Sequence, residues 1–181
     1  MHYASIKEYD IANGEGIRVS LFVSGCPHAC PFCFNKEAWD YNYGDKFTKA
    51  EEDKILKALD KDYIAGLTLL GGEPMWPANQ KGVLPLLRKV KKKYPNKNIW
   101  CYTGYLFDKE IMEDMYKNDF TKEFLSYIDV MVDGRFVEKL KDPSLYFRGS
   151  SNQRVIDVKK SLENNNVEEI KFKNEGVKLH V

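Results

Sequence analysis

The sequence predicts an α/β fold built on a largely parallel sheet. Strand-like and helix-like segments alternate along the 181 residues, and 43% of these residues are hydrophobic, enough for one buried core. Such alternation implies right-handed crossovers between parallel strands, whose carboxyl ends then meet at one edge of the sheet. Four predicted strands end in glycine-containing pairs: Ser24-Gly25, Gly71-Gly72, Thr103-Gly104 and Asp133-Gly134. These pairs are therefore expected along that edge.

The first three elements of the alternation are two strands and a helix. Residues 17–25 are rich in β-branched and aromatic side chains and end near a glycine, which predicts a strand. A helix follows over residues 47–62, where Thr48 and Glu51 have the spacing of a capping box. Residues 65–72 predict a short buried strand.

The next helix has an apolar face and contains a proline. Its face is formed by Val83, Leu87, Val90 and Tyr94. Pro85 would be tolerated if it lay in the first turn of this helix, where a missing N–H costs little. Residues 97–104 predict another strand, and Asp108 is expected to cap the helix after it.

The pattern is weaker towards the end of the chain. A short helix is expected around Phe120 and Phe124, and residues 127–134 predict a fourth strand of the crossover series. Residues 153–158 and 168–173 are further strand candidates, and residues 3–10 are expected to pair at an edge.

Composition narrows the class of protein. The formal net charge is +1, which favours neither nucleic acid nor an anionic membrane as a partner. No secretory leader is visible, and no stretch approaches the roughly 20 apolar residues that span a bilayer. We therefore expect one domain over residues 1–181, located in the cytoplasm.

Three of the four cysteines lie close together as Cys26-x3-Cys30-x2-Cys33. In a reducing compartment such a cluster is typical of metal binding or redox chemistry. A thioredoxin-like pair would have no use for the third thiol. A structural zinc site would need a fourth ligand, from His28 or Cys101. Three thiolates can instead hold three corners of a 4Fe–4S cluster and leave one iron without a protein ligand.

This spacing, with aromatic Phe32 just before the last cysteine, resembles the signature of the radical S-adenosylmethionine (SAM) superfamily. The segment "GGEP" from Gly71 to Pro74, at the end of the next predicted strand, resembles a second motif of that superfamily. The resemblance implies that the open iron chelates the methionyl group of SAM. It also implies that the reduced cluster cleaves SAM to methionine and a 5′-deoxyadenosyl radical.

The resemblance also implies a set of SAM contacts. Gly71, Gly72 and Glu73 would receive the methionyl ammonium, since glycine allows a close approach and Glu73 can accept from a cation. Arg135 would pair with the methionyl carboxylate, and Asp133 would contact the ribose or a bound cation. The open alternative for Asp133 is a turn residue that caps the next segment. The residues expected close to the adenine are Phe32, Cys33 and Phe34.

The finer resemblance is to the activating proteins of anaerobic ribonucleoside-triphosphate reductase, a family of glycyl-radical activating enzymes. The similar stretches include residues 13–26, 33–39, 129–136 and 148–158. This resemblance implies a partial (β/α)6-type TIM barrel, the radical SAM core, open on one side to admit a glycine loop of the large reductase subunit.

Other partners and functions stay open at this point. An electron donor such as flavodoxin is implied, and the basic residues 88–93 are either a solvated helix end or a docking site for an acidic donor. The alternatives in function are activation of another glycyl-radical enzyme, a radical SAM enzyme acting on a small molecule, and a zinc-stabilised binding module.

Overall fold

The computed structural model describes residues 1–173, in which strands and helices alternate as predicted. The strands are β1 His2–Asp10, β2 Ile17–Val23, β3 Asp45–Lys46, β4 Ile64–Gly71, β5 Asn98–Tyr102, β6 Val130–Asp133 and β7 Arg154–Asp157. The α-helices are α1 Lys49–Leu59, α2 Pro77–Lys93, α3 Asp119–Tyr127 and α4 Val158–Asn164, and a π-helix spans Phe107–Ile111. The domain prediction extends to residue 181, so residues 174–181 of it lie outside the described part.

One seven-stranded mixed sheet organises this part of the chain. Its strand order is β3-β1-β2-β4-β5-β6-β7. The neighbouring strands β2, β4, β5 and β6 are parallel, which places their carboxyl ends at the same edge. The outer pairs β1–β2, β1–β3 and β6–β7 are antiparallel. The partial (β/α)6 barrel stays a prediction beside this observed order.

The two faces of the sheet have different environments. Alternate residues such as Val19, Leu69 and Cys101 share one apolar core with buried side chains of the helices. On the opposite face, Trp100, Val132 and Val155 form a smaller cluster with aromatic residues of the later loops. The helices therefore cover one face, and the other face lies towards the cavity described below.

Pro85 does not lie in the first turn of its helix. Helix α2 begins at Pro77, which occupies the favoured first position, so Pro85 lies in the helix interior. The missing N–H at Pro85 removes one bond of the helical ladder. The apolar pattern had located the helix but not its beginning, because residues 77–82 carry few apolar side chains.

Asp108 does not cap a helix. The helical segment there is the π-helix, and its N-cap residue is Leu106. The Asp108 carboxylate instead accepts from Arg154 at 2.6 Å. The amide of Phe107 donates to Asp133 at 2.8 Å, so the carboxylate that holds the start of this helix comes from the end of β6.

Two predictions about strand pairing also need correction. The segment 3–10 is β1, but it lies between β2 and β3, so the unpredicted two-residue strand β3 takes the edge. The segment 168–173 forms no extended strand. Its backbone pairs with the sheet at a single bridge between Glu169 and Ile156, and Ile170 and Phe172 pack against the sheet.

Within residues 1–173, every helix is too short or too polar to cross a lipid bilayer.

The start of α1 gives a test of the local structure. The Thr48 hydroxyl accepts from the Ala50 amide, and Glu51 accepts from the Thr48 amide, so the predicted capping box is confirmed. We expect Thr48→Ala to lower the free energy of unfolding by about 1 kcal/mol, because first-turn amides lose their acceptor. Urea unfolding of the purified chain measures this. Thr48→Ser, which keeps the hydroxyl, is the control, and an equal loss in both variants would contradict the capping role.

Candidate functional site

A cavity of about 380 Å³ opens at the carboxyl edge of the parallel strands. Its walls include most of the residues that the sequence predicted for a site: Cys26, Cys30, Cys33, Phe34, Gly71, Gly72, Glu73 and Arg135. Small-molecule sites in proteins occupy a similar range of volumes, roughly 300–1,000 Å³. The structure therefore brings the cysteine loop and the "GGEP" segment to one concave site.

Backbone hydrogen bonds attach the start of the loop that carries the cysteines and close a turn within it. The Gly25 amide donates to the Ala38 carbonyl at 2.8 Å, and the Cys33 amide donates to the Cys30 carbonyl at 3.1 Å. Between these points Ala29 and Phe32 adopt positive φ angles of 45° and 63°, which non-glycine residues rarely do. This backbone turns the three thiols into the same cavity.

Burial makes the thiols of Cys26 and Cys30 poor acids in the absence of a metal. Desolvation raises the pKa of Cys26 to about 11. Desolvation, followed by the neighbouring Cys33, raises the pKa of Cys30. Since thiolates are the metal ligands, a positively charged metal centre is what would stabilise the ionised form here. Three free, partly buried cysteines facing one cavity fit an iron–sulfur cluster.

The "GGEP" segment is joined to the cysteine loop through its backbone. The Gly72 amide donates to the Val23 carbonyl at 2.7 Å, and the Glu73 amide donates to the Gly25 carbonyl at 2.8 Å. Gly71 has a φ of +106°, and a Cβ there would lie 2.8 Å from the backbone of Phe22. Glycine is therefore required where β4 ends against the start of the loop.

The Glu73 carboxylate is fully buried and accepts from four donors. Its Oε1 accepts from the Met75 amide and the Thr103 hydroxyl, both at 2.8 Å. Its Oε2 accepts from the Gly104 amide at 2.8 Å and faces Nε2 of His28 at 2.7 Å. The expected contact between Glu73 and the methionyl ammonium stays a prediction, but both carboxylate oxygens already have protein partners.

Asp133 and Arg135 lie at the same edge in different surroundings. The Asp133 side chain is fully buried, pairs with Arg154 and accepts from the Phe107 amide. Asp133 does not line the cavity, although its ribose contact stays a prediction. The Arg135 side chain is 45% exposed, lines the cavity and pairs with Glu110 at 2.7 Å.

The remaining candidates divide between surface and core. Phe34 is 91% exposed at the cavity, and Phe32 is 69% exposed outside its walls. Cys101 lies in β5 among the apolar core residues, where burial raises the pKa of its thiol well above the usual value. Among residues 1–173, no three His, Cys, Asp or Glu side chains gather closely enough to hold a single metal ion, which the zinc alternative needs.

Sequence reasoning missed two parts of the site. His28 was considered only as a zinc ligand, although its ring lies against Tyr105 with a centroid distance of 4.4 Å. The loop residues Leu145, Phe147 and Gly149 were not assigned to the site, yet they line the cavity. The position of His28 between two cysteines could have indicated that it belongs to the site. The contact of the later loop residues with the cavity depends on long-range packing, which no local pattern indicates.

Comparison with known proteins agrees with this geometry. The family described as a 4Fe-4S single cluster domain matches residues 12–156. An anaerobic ribonucleoside-triphosphate reductase-activating protein of Escherichia coli strain K12 is 45% identical over 157 residues, which cover 86% of this chain and 97% of that protein. This chain belongs to the family of anaerobic ribonucleoside-triphosphate reductase-activating proteins. Members from Haemophilus influenzae and from phage T4 are each 41% identical, over 84% and 86% of this chain and 96% and 93% of their own lengths.

The 4Fe-4S domain of this activating-protein family spans the whole candidate site. The matched residues begin before the cysteine loop and extend past Arg154, the partner of Asp133. The predicted family is thereby confirmed, and the iron–sulfur class of the metal site with it. The three cysteines fit such a cluster because they share one loop and one cavity.

The two roles considered for Asp133 lead to different outcomes in a stability measurement. Asp133→Asn leaves Arg154 without its buried partner, so we expect the free energy of unfolding to fall by about 3 kcal/mol. Asp108→Asn affects the same Arg154, but the Asp108 side chain is 43% exposed, so a loss of about 1 kcal/mol or less is expected. Denaturant unfolding measures both. Unchanged stability with weakened SAM binding in Asp133→Asn would favour the ribose contact instead.

Proposed function

We propose that this chain activates an anaerobic ribonucleoside-triphosphate reductase by generating a glycyl radical on its large subunit. The observation that carries the proposal is the meeting of three cysteines of one loop with the Gly71–Glu73 segment in a single cavity. The names of the relatives, which match nearly their full lengths, supply the target of the reaction. When bound, the cluster and SAM supply reductive cleavage of the sulfonium to a 5′-deoxyadenosyl radical, which takes a hydrogen atom from the glycine.

The placement of the cysteines supports this chemistry. Cys26, Cys30 and Cys33 would hold three irons, and the fourth cysteine of the chain, Cys101, lies in the core on the helix-covered side of the sheet. One iron would thus be left for the methionyl amino and carboxylate groups of SAM. The backbone of Gly71 and Gly72 lines the same cavity and is accessible to the methionyl group because no side chain intervenes.

The residues around the cavity would position SAM and enclose the reaction. Arg135 lines the cavity with a partly exposed guanidinium suited to a carboxylate, although it must share that group with Glu110. Leu145, Phe147 and Gly149 line the cavity, and the apolar side chains of Leu145 and Phe147 would help to exclude water. The exposed ring of Phe34 lines the cavity, which supports the proposed contact with the adenine.

The electron donor and the location belong to the same proposal. We propose a donor such as flavodoxin and a cytoplasmic location, which suits clustered reduced cysteines. The basic segment 88–93 gives little support to donor docking, because four of its five basic side chains pair within the chain. These pairs are Arg88–Glu123, Lys89–Glu52, Lys91–Asp129 and Lys93–Asp60.

The cluster assignment is tested by removing one thiol. Cys30→Ala is expected to fold, to retain no stoichiometric cluster after anaerobic reconstitution, and to lose SAM cleavage. Cys101→Ala is the matched control and is expected to keep both, since the Cys101 side chain packs in the apolar core and does not line the cavity. Iron and sulfide analysis and detection of 5′-deoxyadenosine measure the two results. Full cleavage by Cys30→Ala would defeat the assignment.

The target of activation is tested by electron paramagnetic resonance. The reconstituted chain, a reductant, SAM and the large subunit of an anaerobic ribonucleoside-triphosphate reductase are expected to give a glycyl-radical signal. A reductase variant whose glycine is replaced by alanine serves as the control. Absence of a signal with this reductase, together with a signal on another glycyl-radical enzyme, would reassign the target.

A further inference from the structure

We propose that His28 is a positioning residue that fixes the cysteine loop to the strand ends that receive SAM. His28 lies in the middle of the loop, between Cys26 and Cys30, and its side chain is only 4% exposed. It contacts a residue after each of three parallel strands: Glu73 after β4, Tyr105 after β5 and Arg135 after β6.

The hydrogen bonds of the ring determine its tautomer. Nε of Arg135 lies 3.2 Å from Nδ1 of His28 and can only donate, because a guanidinium has no acceptor. Nδ1 must therefore carry a lone pair, and the ring proton must be on Nε2. Nε2 then donates to the Glu73 carboxylate at 2.7 Å, a charge-assisted bond inside a buried site.

Gly104 provides independent support for this position of the ring. A Cβ on Gly104 would lie 2.4 Å from Cδ2 and 2.7 Å from Nε2 of His28. The backbone of Gly104 has no left-handed φ, so conformation alone does not explain a glycine there. Its absent side chain makes room for the imidazole, while its amide donates to the same Glu73 oxygen.

The attachment of His28 also restricts the positions of the neighbouring cysteine sulfurs. Cys26 and Cys30 flank His28, so holding the imidazole against Glu73 limits where the loop can place these thiols relative to Gly71 and Gly72. The positions of the cluster and of the methionyl site would then be set together. This consequence for SAM rests on the function proposed above, whereas the attachment of the loop does not.

The first experiment measures the loop in the full chain without cluster or SAM. We expect His28→Phe, which keeps a ring but has no donor, to speed amide hydrogen exchange at Cys26 and Cys33 about tenfold, the size expected for one charge-assisted bond. His28→Gln can still donate to Glu73 and should recover most of the protection. His2→Phe, in β1, is the control and should change neither amide.

A second readout is spectroscopic. Long-range ¹H–¹⁵N spectra of the unmodified chain should show His28 as the neutral tautomer with its proton on Nε2. Gly104→Ala should remove that signature and reproduce the exchange of His28→Phe, because the added methyl displaces the ring.

A third readout uses the reconstituted protein with SAM as the probe. His28→Phe should weaken SAM binding about tenfold, and His28→Gln should recover most of it. The proposal is overturned if exchange is unchanged in His28→Phe, if these amides are unprotected in the unmodified chain, if His28→Gln is as defective as His28→Phe, or if the proton is on Nδ1. Since the exchange and the spectra need neither cluster nor SAM, these results are separate from the test with Cys30→Ala.

Discussion

The Glu73 carboxylate is the group on which the arrangement of the site depends. It is fully buried and accepts from the backbone after β4, from the strand end after β5 and from the cysteine loop. A buried carboxylate without partners costs several kcal/mol, so each donor has to stay in place. The position of the loop and the positions of two strand ends are therefore fixed by one group.

The parallel centre of the sheet makes this convergence possible. Because β2, β4, β5 and β6 run in the same direction, the chain leaves each of them at the same edge. Apolar packing against the helices holds the strands from one side and leaves the other face for the cavity. The antiparallel strand β7 contributes Arg154, which fills the position beside Asp133 and keeps that carboxylate out of the cavity.

Much of the secondary structure and of the site was accessible from the sequence. Short apolar segments that end at glycines located β2, β4, β5 and β6, and the capping box located the start of α1. The spacing of the three cysteines and the "GGEP" segment predicted residues that do line one cavity. The start of α2 was missed because Pro77 opens a turn that lacks an apolar pattern, and the two-residue strand β3 is too short to show one.

By itself the sequence determined the residue types that perform chemistry, because thiol spacing and glycines at strand ends are local properties of the chain. Only the tertiary structure decided which partner each polar group has. Glu73 is 45 residues from His28, and Asp133 is 21 residues from Arg154. Such contacts arise when separate strands and loops pack together, and no local pattern specifies them. A carboxylate next to a site motif can therefore serve a ligand or the protein itself, and both of these carboxylates already have protein partners in the packed strand ends.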